Sequence, residues 1–600
     1  MQSAIAKHPD NPTAEHVARL RQELARRGLD GFVVPHSDEH QGEYLPPSAL
    51  RLTWISGFTG SAGVAIVLAD RAALFVDGRY TLQAAGQVDA TLFEHHHLIE
   101  QPPAQWLAAT LPAGARLGYD PWLHTPNGIG QLRAACDKAG ALLSSCADNP
   151  LDAVWTDRPA PPQTPALPHA LAFAGRSALQ KRADLAEQLV AETLDAAVLT
   201  APESIAWLLN LRGNDIPFTP LPLSFALLNK DGAVDLFLDD KKLSPETIRH
   251  LGAEVRAKAP PALGPALDAL AGKQVRLDPA TAPSWIAERL IAAKAHITHG
   301  ADLCALPRAC KNPVELEGTR HAHHRDGVAL TRFLCWLAST VDSGTVTEMS
   351  AAERLDRFRE GGENYRGPSF PTISAAGPDA ALPHYHTTES SNRSLSSGQL
   401  YLVDSGGQYL DGTTDVTRTI AIGPAGAEER RRFTLVLKGH IALARARFPL
   451  GTTGSQLDGL ARQALWAEGL DYDHGTGHGV GSYLSVHEGP QRISKLPSAQ
   501  ALLPGMILSN EPGYYKAGAY GIRIENLLVV RPWPHRGERE TLEFETLTLA
   551  PIDRSLIQRD LLSADEADWL NAYHTRVRDE LTPLLDGPTA DWLAEATRAI

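Results

Sequence analysis

The chain of 600 residues is 43% hydrophobic and 21% charged, with a formal net charge of −14. These proportions are typical of a folded globular protein, and the acidic balance argues against nucleic acid as the main partner, because nucleic-acid binding depends on basic patches. No apolar run approaches the roughly 20 residues that span a bilayer, so no membrane partner is expected either.

The N-terminus and the cysteines indicate the cellular compartment. The first 20 residues hold no apolar stretch followed by a small-residue cleavage site, so no secretory signal is visible. The five cysteines are odd in number and contain no Cys-x-x-Cys pair, which does not fit a disulfide framework. Both features predict a cytoplasmic protein.

The N-terminal part predicts a helix followed by short strands. Asn11 and Pro12 open the helix with a capping side chain and a proline at the first helical position, and Gly28 ends it. "GFVVP" follows as a strand. The buried face of the helix is predicted to carry Val17, Leu20 and Leu24.

A weak internal repeat divides the first half of the chain. "LDGFVVP" and "LTWISGF" are echoed later by "LDAAVLT" and "IAWLLNL", and each copy precedes an apolar run that ends in "LFVD" or "LFLD". We therefore predict two tandem α/β domains, over residues 1–155 and 170–305. Six prolines in residues 148–170 favour a linker between them, and a long loop inside one domain is the alternative.

A second boundary near "CALPRACKNP" introduces a third domain, predicted over residues 310–540, and a C-terminal extension follows over residues 541–600. Asn312 opens the first helix of the third domain. The "HAHH" patch on that helix, residues 321–324, is interpreted as a solvated face, because adjacent helix positions point in different directions.

Residues 399–421 predict a strand, a glycine turn and a second strand. If Asp404 lies opposite Asp415 across this hairpin, two like charges destabilise the sheet. Either both carboxylates are solvated at a loop mouth, or one of them keeps its proton, or the pair binds a cation. Asp411 lies between the two and is interpreted as a turn residue.

Two further acids belong to apolar strands. "MILSNEPGYY" predicts a strand that ends at Glu511, and alternation in "GIRIENLLVV" places Arg523 and Glu525 on one face. A carboxylate on a core strand needs a partner. For Glu525 alone, an ion pair with Arg523 is the simpler interpretation.

Together the four acids favour a metal site. The run "DHGTGHGVGSYLSVHEGP" lies between the two acidic pairs, and its glycines can bring backbone close to a ligand, because they tolerate positive φ and have no Cβ. Carboxylates with one or two imidazoles suit divalent ions such as manganese, iron or cobalt, and four carboxylates exceed the need of one ion. Two bridged ions, which support hydrolysis, are the natural interpretation. The glycines are Gly475, Gly477, Gly479 and Gly481.

The motifs "VDSGGQYLDGTTDVTRT", "HGTGHGVGSYLSVHEGP", "SNEPGYY" and "GIRIEN" together resemble those of the Xaa-Pro aminopeptidases, which are creatinase-like metallopeptidases. "SDEHQGEY", "DGRYTLQA" and "NPVELEGTRHAHHRDGVAL" extend the resemblance over nearly the whole chain. It implies an α/β and α+β fold class, with two tandem creatinase N-terminal-like α/β domains followed by a pita-bread catalytic domain.

The resemblance also implies roles for individual residues. Two divalent ions, most often manganese, would be held by Asp404, Asp415, His478, Glu511 and Glu525, with Asp415 and Glu525 bridging them. Glu511 would accept the proton of the attacking water, and Arg523 would orient Glu525. The substrate site would be lined, without metal binding, by His384, His474 and His487.

The implied activity is hydrolysis of the bond between an N-terminal residue and a penultimate proline in peptides. Prolidase, which cuts Xaa-Pro dipeptides, has a similar metal set, but the two N-terminal units favour the enzyme for longer peptides. Methionine aminopeptidase needs no such N-terminal half, and creatinase keeps the fold without the metal set. A non-catalytic peptide-binding relative would lack several of the ligands.

The C-terminal extension predicts a last helix, because Ser563 and Glu566 match a capping box. This helix is either a structural or an oligomerisation element. Trp466 and Trp569 are candidates for contacts of a homodimer, since exposed aromatic residues are enriched at interfaces, and a core position is the alternative for both.

Overall fold

A computed structural model describes residues 12–534 and 537–600. These residues form two compact units, one of residues 12–171 and 176–305, the other of residues 172–175 and 306–600. In this described part, every helix is too short or too polar to cross a membrane. Asn11, predicted to open the first helix, lies outside the described residues.

The first unit begins with a six-stranded sheet covered by helices. The first helix ends at Gly28, whose φ of 66° is left-handed, and its buried side chains include Val17, Leu20 and Leu24, as predicted. The helices are α1 (Thr13–Arg27), α2 (Arg51–Ser56), α3 (Thr81–Gln87), α4 (Pro103–Thr110), α5 (Pro126–Ala139) and α6 (Pro150–Val154). The strands are β1 (Gly31–Pro35), β2 (Val64–Leu68), β3 (Ala72–Val76), β4 (Glu94–His97), β5 (Arg116–Tyr119) and β6 (Leu142–Ser145).

A second sheet follows along the chain. Its region contains the strands β7 (Leu167–Pro168), β8 (Ala196–Leu199), β9 (Leu211–Arg212), β10 (Phe225–Asn229), β11 (Val234–Phe237), β12 (Val255–Lys258), β13 (Gln274–Leu277) and β14 (His296–His299). Helix α7 (Leu171–Ala174) falls mostly in the second unit. The helices around the second sheet are α8 (Ala178–Ala191), α9 (Pro202–Leu209), α10 (Pro245–Leu251), α11 (Leu263–Asp268) and α12 (Ser284–Ala292).

The two six-stranded sheets of the first unit have the same topology. Their strand orders, β4-β3-β2-β1-β5-β6 and β12-β11-β10-β8-β13-β14, correspond position by position. In each, the central strand pairs antiparallel with its neighbour on one side and parallel on the other, and both outermost pairs are parallel. The internal repeat predicted from the sequence is therefore confirmed.

The second unit begins with long helices and a group of short strands. Its helices are α13 (Ala305–Ala309), α14 (Pro313–Thr340), α15 (Glu348–Glu360), α16 (Ala427–Ala444), α17 (Gly454–Trp466), α18 (Ala564–Leu581) and α19 (Gly587–Ala596). The strands before α16 are β15 (Tyr365–Pro368), β16 (Ile373–Ala376), β17 (Gln399–Ser405), β18 (Gly407–Tyr409), β19 (Gly412–Thr413) and β20 (Val416–Ile422).

A six-stranded antiparallel sheet completes this unit, in the order β21-β28-β27-β24-β22-β23. The strands after α16 are β21 (Arg447–Pro449), β22 (Gly477–Gly479), β23 (Glu488–Ile493), β24 (Ile507–Asn510), β25 (Gly513–Lys516), β26 (Tyr520–Arg523), β27 (Asn526–Pro532) and β28 (Thr541–Thr546). The C-terminal helix α18 begins with the predicted Ser563–Glu566 capping box. Its Leu570 shares a hydrophobic core with Ile522 of β26 and with Ile524, which directly precedes Glu525.

Helix α14 begins as predicted, with Asn312 and Glu315 forming a capping box, but its histidines are not all solvated. His323 is buried, and its Nδ1–H donates to the carbonyl of Thr319 at 2.8 Å. Only His321 is exposed. The prediction of a solvated patch is wrong for His323, because this helix packs against other elements on more than one side.

Candidate metal centre

The strands β17 and β20 pair antiparallel, but not in the predicted register. Asp404 lies opposite Thr417, and Asp415 precedes β20. The hairpin β18–β19 is inserted between the two main strands, so Asp415 is a diagonal rather than a direct neighbour of Asp404. Diagonal side chains on one face can still meet. Oxygen atoms of Asp404, Asp415 and Glu525 in fact lie within 4.8 Å of one another.

Glu511 and Glu525 emerge side by side from a second pair of strands. In the antiparallel pair β24–β27, Asn510 lies opposite Asn526. Glu511 directly follows the first of these residues and Glu525 directly precedes the second, so both acids leave the same end of the pair. The Glu511 N–H donates to the carbonyl of Thr476 at 2.8 Å, which joins this end to the histidine-rich run.

His478 lies on β22, next to β24, and reaches the acids from the other side. Its Nε2 is 3.5 Å from Asp415 Oδ2 and 3.5 Å from Glu511 Oε1. Its Nδ1 is 3.0 Å from the carbonyl of Gly479, and a carbonyl only accepts, so Nδ1 carries the hydrogen. Nε2 is therefore the nitrogen that can bind a metal ion.

The glycine-rich run serves strand packing rather than left-handed turns. Gly477 and Gly479 have no positive φ. A Cβ on Gly477 would lie 2.0 Å from the carbonyl oxygen of Ser509, and one on Gly479 would lie 2.2 Å from that of Glu488. These two glycines are required for their lack of a Cβ rather than for positive φ, and the close backbone approach is to neighbouring strands.

The charges of the cluster fit bound cations. Burial raises the pKa of Asp404 to about 6, although Arg523 opposes the shift. Burial and the charge of Asp415 raise the pKa of Glu525 well above its usual range. Burial would lower the pKa of His478, but Asp415 and Glu511 outweigh it and raise that pKa to about 9. Cations would relieve the same excess of negative charge that these protons relieve.

One carboxylate oxygen gives an independent sign of a missing partner. Oδ1 of Asp404 is buried, and within the described ranges no donor contacts it. Its companion Oδ2 accepts from Arg523 Nη2 at 2.6 Å. Buried acceptors are nearly always satisfied, so Oδ1 is well suited to bind a metal ion.

Arg523 contacts Asp404 rather than Glu525. Its other donors reach Thr417 Oγ1 at 3.1 Å, the Tyr515 hydroxyl at 2.6 Å and the carbonyl of Pro383 at 3.2 Å. Thr417 donates to Glu525 Oε2 at 2.7 Å. The ion pair between Arg523 and Glu525 that alternation predicted is therefore replaced by a link through Thr417, because strand β26 ends before Glu525.

The three other predicted histidines lie in different settings. His487 packs edge-on against His478 at 4.3 Å between ring centroids, and one of its nitrogens lies within 4.8 Å of ligand atoms of Asp415 and His478. His474 is buried, with Nδ1 2.7 Å from the Gly475 carbonyl and Nε2 2.8 Å from the Tyr515 hydroxyl. His384 is half-buried in the loop between β16 and β17.

Tyr515 is the site residue that sequence reasoning missed. Its hydroxyl accepts from Arg523 and lies within hydrogen-bond distance of His474 Nε2, so it connects the two. Burial raises its pKa to about 12, which keeps the hydroxyl protonated at neutral pH. The "GYY" that directly follows "SNEP" was the available signal, since it places an aromatic hydroxyl beside Glu511.

Comparison with known proteins agrees with this geometry. The metallopeptidase family M24 matches residues 317–532, and the C-terminal region of peptidase M24 matches residues 540–600. The creatinase/prolidase N-terminal domain matches residues 16–148 and 157–315. A probable Xaa-Pro aminopeptidase P of Aspergillus niger is 41% identical over 614 aligned residues, which cover 98% of this chain and 99% of the relative.

The chain belongs to the Xaa-Pro aminopeptidase P family of M24 metallopeptidases. A second family member, from Talaromyces marneffei, is 39% identical over 98% of this chain and 92% of its own length. The crystal structure of X-prolyl aminopeptidase from Caenorhabditis elegans, described as a cytosolic enzyme with a di-nuclear active site, has a TM-score of 0.94 and 36% identity, covering 98% of this chain and all of that one.

Family membership confirms the predicted fold class, with tandem creatinase N-terminal domains followed by an M24 catalytic domain. The chain is an enzyme of the metallopeptidase class. Among the described residues, three groups of side chains could hold a metal ion, and all three lie in the M24 part of this family member. Their members are Asp404, Asp415, His478, His487, Glu511 and Glu525.

Proposed function

We propose that this enzyme hydrolyses the bond between an N-terminal residue and a penultimate proline in peptides. The observation that carries the proposal is the convergence on one largely buried centre of five side chains that lie on strands or next to strand ends, namely Asp404, Asp415, His478, Glu511 and Glu525. The names of the full-length relatives supply the substrate class. The regions proposed for the chain are residues 1–155, 170–305, 310–540 and 541–600.

Two divalent ions, manganese by preference, are the cofactors that we assign to this centre. Asp404, Asp415, His478, Glu511 and Glu525 would hold them. The excess of buried carboxylates supports more than one cation. Such ions lower the pKa of water and polarise a carbonyl group, which is the chemistry of metal-assisted hydrolysis.

Individual side chains of the protein have separate roles in the proposed reaction. Glu511, which is only half-buried, accepts the proton of the attacking water and passes it to the leaving amine. An imidazole N–H group of His384 or His487 stabilises negative charge on the carbonyl oxygen. Arg523 holds Asp404 and Tyr515 in place, and Tyr515 fixes His474 beside Glu511, whose Oε2 is 3.9 Å from His474 Nδ1.

Proline at the second position requires a dedicated site. The bond before proline carries no amide hydrogen, and the proline ring fixes φ. A peptidase that recognises its substrate through a hydrogen bond from this amide N–H therefore cannot use a substrate with proline at this position. We assign the enzyme to peptides longer than two residues, in contrast to prolidase, because the long form of the family has two N-terminal domains and both are present here.

The enzyme is proposed to act in the cytoplasm as a homodimer. The related enzyme from Caenorhabditis elegans is described as cytosolic, and no disulfide joins any of the five cysteines, all within the described residues. Trp466 is 49% exposed at the end of α17 and is the candidate dimer contact. Trp569 instead stacks on Tyr573 at 5.5 Å and is half-buried, which favours a core role.

A set of synthetic peptides tests the function. We expect release of the first residue from Xaa-Pro-Xaa tripeptides, none when proline is replaced by alanine, and a strong loss when the α-amine is acetylated. Chelation should stop the reaction, and manganese should restore it. Mass spectrometry of the products separates the alternatives. Cleavage of Xaa-Pro dipeptides alone indicates prolidase, methionine release without a following proline indicates methionine aminopeptidase, and no product with any metal indicates a binding protein.

A further inference from the structure

The loop that carries His384, residues 376–393, connects β16 to the segment before β17 and contains no long regular element of its own. A loop of this kind is mobile unless side chains fix it. A group that must stabilise charge in a transition state has to be held within a fraction of an ångström. What fixes this loop therefore decides whether His384 can act.

Glu348 fixes the loop at three points. Its Oε1 accepts from the N–H of Ala376 at 2.7 Å, where the loop begins. Its Oε2 accepts from the N–H of Arg393 at 3.0 Å, where the loop ends. The hydroxyl of Tyr385 lies 3.1 Å from the same Oε2 and 2.9 Å from Ser391 Oγ within the loop. Glu348 is 0% exposed, so water does not compete for these bonds.

His384 lies between two anchored neighbours. Tyr385, which follows it, is bonded to Glu348. The carbonyl of Pro383, which precedes it, accepts from Arg523, and the same guanidinium group holds Asp404. The backbone on one side of His384 is thereby tied to the metal centre, and the side chain on the other side is tied to helix α15.

Glu348 is not needed as a helix cap, which is the alternative role for an acid in a first helical turn. Thr347 already caps α15 and forms a capping box with Ser350. Both carboxylate oxygens of Glu348 are directed at the loop. Its own N–H also donates to the Arg393 carbonyl at 2.9 Å, so backbone and side chain hold the same end of the loop.

We infer that Glu348 is a positioning residue for catalysis, which clamps the loop of residues 376–393 and thereby places His384 against the substrate carbonyl. The inference rests on the proposed function, since it assigns His384 a role in turnover. Glu348 touches none of the proposed metal ligands. Its loss should therefore lower kcat without releasing metal.

A double-mutant cycle tests the inference. Glu348→Gln keeps the volume of the side chain but replaces one acceptor oxygen by an NH₂ group, which cannot accept from a backbone N–H. The assay is run above pH 8, because burial raises the pKa of Glu348 to about 7 and the ionised form makes all three bonds. We expect kcat to fall about 10-fold or more, since small misplacements of catalytic groups cost up to about 100-fold.

The same substitution in a His384→Ala background should lower kcat by less than about 2-fold, because residues that act as one unit are not additive. Equal losses in both backgrounds, or an unchanged kcat in the single variant, would overturn the inference. Glu566→Gln is the matched control, since Glu566 also lies in the first turn of a helix, where its partners are Ser563 and Lys438. Its kcat and metal content should stay at the wild-type values.

Hydrogen exchange provides a readout that does not need activity. The amides of Ala376 and Arg393 should exchange faster in Glu348→Gln, while the amide of Glu511 keeps its protection. If wild-type protein cleaves no Xaa-Pro peptide, the proposed function fails, and this measurement alone decides whether Glu348 orders the loop. If Glu348→Gln does not fold, Tyr385→Phe takes its place in the cycle, with a smaller loss of kcat expected and the same non-additivity with His384→Ala.

Discussion

Asp415 is the side chain on which the proposed metal centre depends most, because it lies within reach of Asp404, Glu525 and His478 at once. Asp415→Asn should abolish turnover and lower bound metal, since a neutral amide cannot bridge two cations as a carboxylate does. Elemental analysis and peptide hydrolysis measure the two effects. The matched control is Asp411→Asn in the neighbouring hairpin, where Asp411 pairs with Arg325. A variant at Asp415 with full metal and normal activity would remove this residue from the site.

His487 tests which histidines bind metal. It is close enough to Asp415 and His478 to be a ligand, yet the resemblance assigns it to the substrate carbonyl. We expect His487→Ala to retain nearly all of its metal and to lose roughly 10² to 10³ in kcat, the cost of one oxyanion donor in a comparable hydrolase. His478→Ala should lose metal. If His487→Ala also loses its metal, the two roles are misassigned.

Sequence alone could identify the members of the site but not their contacts. Residue types and spacing suffice to select Asp404, Asp415, Glu511 and Glu525, because unpaired acids on apolar strands need a cation or a proton. The partner of Arg523 could not be found in this way, since Asp404 is 119 positions away along the chain. Strand register, which alternation does not reveal, decides that pairing.

At the scale of elements, the close contact of β22 with β24 predicts the effect of a single methyl group. A Cβ at Gly477 would lie 2.0 Å from the Ser509 carbonyl, and backbone cannot yield without separating the strands. Gly477→Ala should therefore lower the melting temperature and weaken metal binding through His478. Thermal unfolding and metal titration measure both effects.

The control for this prediction lies two residues away. A Cβ at Gly475 would have its nearest neighbour at 3.6 Å, which is an ordinary contact, so Gly475→Ala should behave like the wild type in both measurements. Equal effects of the two substitutions would show that backbone flexibility, rather than strand spacing, explains the glycines of this run.

Elements were predictable where a local signal exists. The start of α14 followed from Asn312 before a proline, and the start of α18 followed from a capping box, because both signals lie within a few residues of each other in the sequence. The inserted hairpin β18–β19 did not follow, since its place depends on distant contacts. Gln408 of this hairpin donates to the carbonyl of Leu484, in the loop that carries His487.

For the whole molecule, the repeat of "LDGFVVP" and "LDAAVLT" was enough to predict two related α/β sheets, because a shared strand pattern implies a shared topology. The role of the C-terminal residues was not visible in the sequence. Their side chains complete a core around Ile522 and Ile524, and the Tyr573 hydroxyl accepts from Arg418 at 3.0 Å. Arg418 in turn donates to the carbonyl of Glu525 at 2.6 Å, which connects the last helices to a proposed ligand.

Acid should unfold the protein partly through its buried histidines. His574 is 0% exposed, and its Nε2 accepts from the N–H of Ile552 at 3.1 Å. Burial, with the charge of Arg418, lowers its pKa to about 3. The unfolded chain takes up a proton near pH 6.5, so the stabilising effect is complete above pH 6.5 and is lost as the pH falls toward 3.

His574→Gln checks this assignment, because glutamine accepts the same N–H but does not titrate. In the window between pH 6.5 and 3, one histidine of this kind lowers the free energy of unfolding by about 1.4 kcal/mol per pH unit. The variant should therefore lose less stability than the wild type between pH 7 and pH 4.5, in denaturant titrations at both pH values. His321→Gln, at an exposed position of α14, should follow the wild-type pH dependence. An unchanged pH dependence in His574→Gln would mean that other groups take up the proton that triggers acid unfolding.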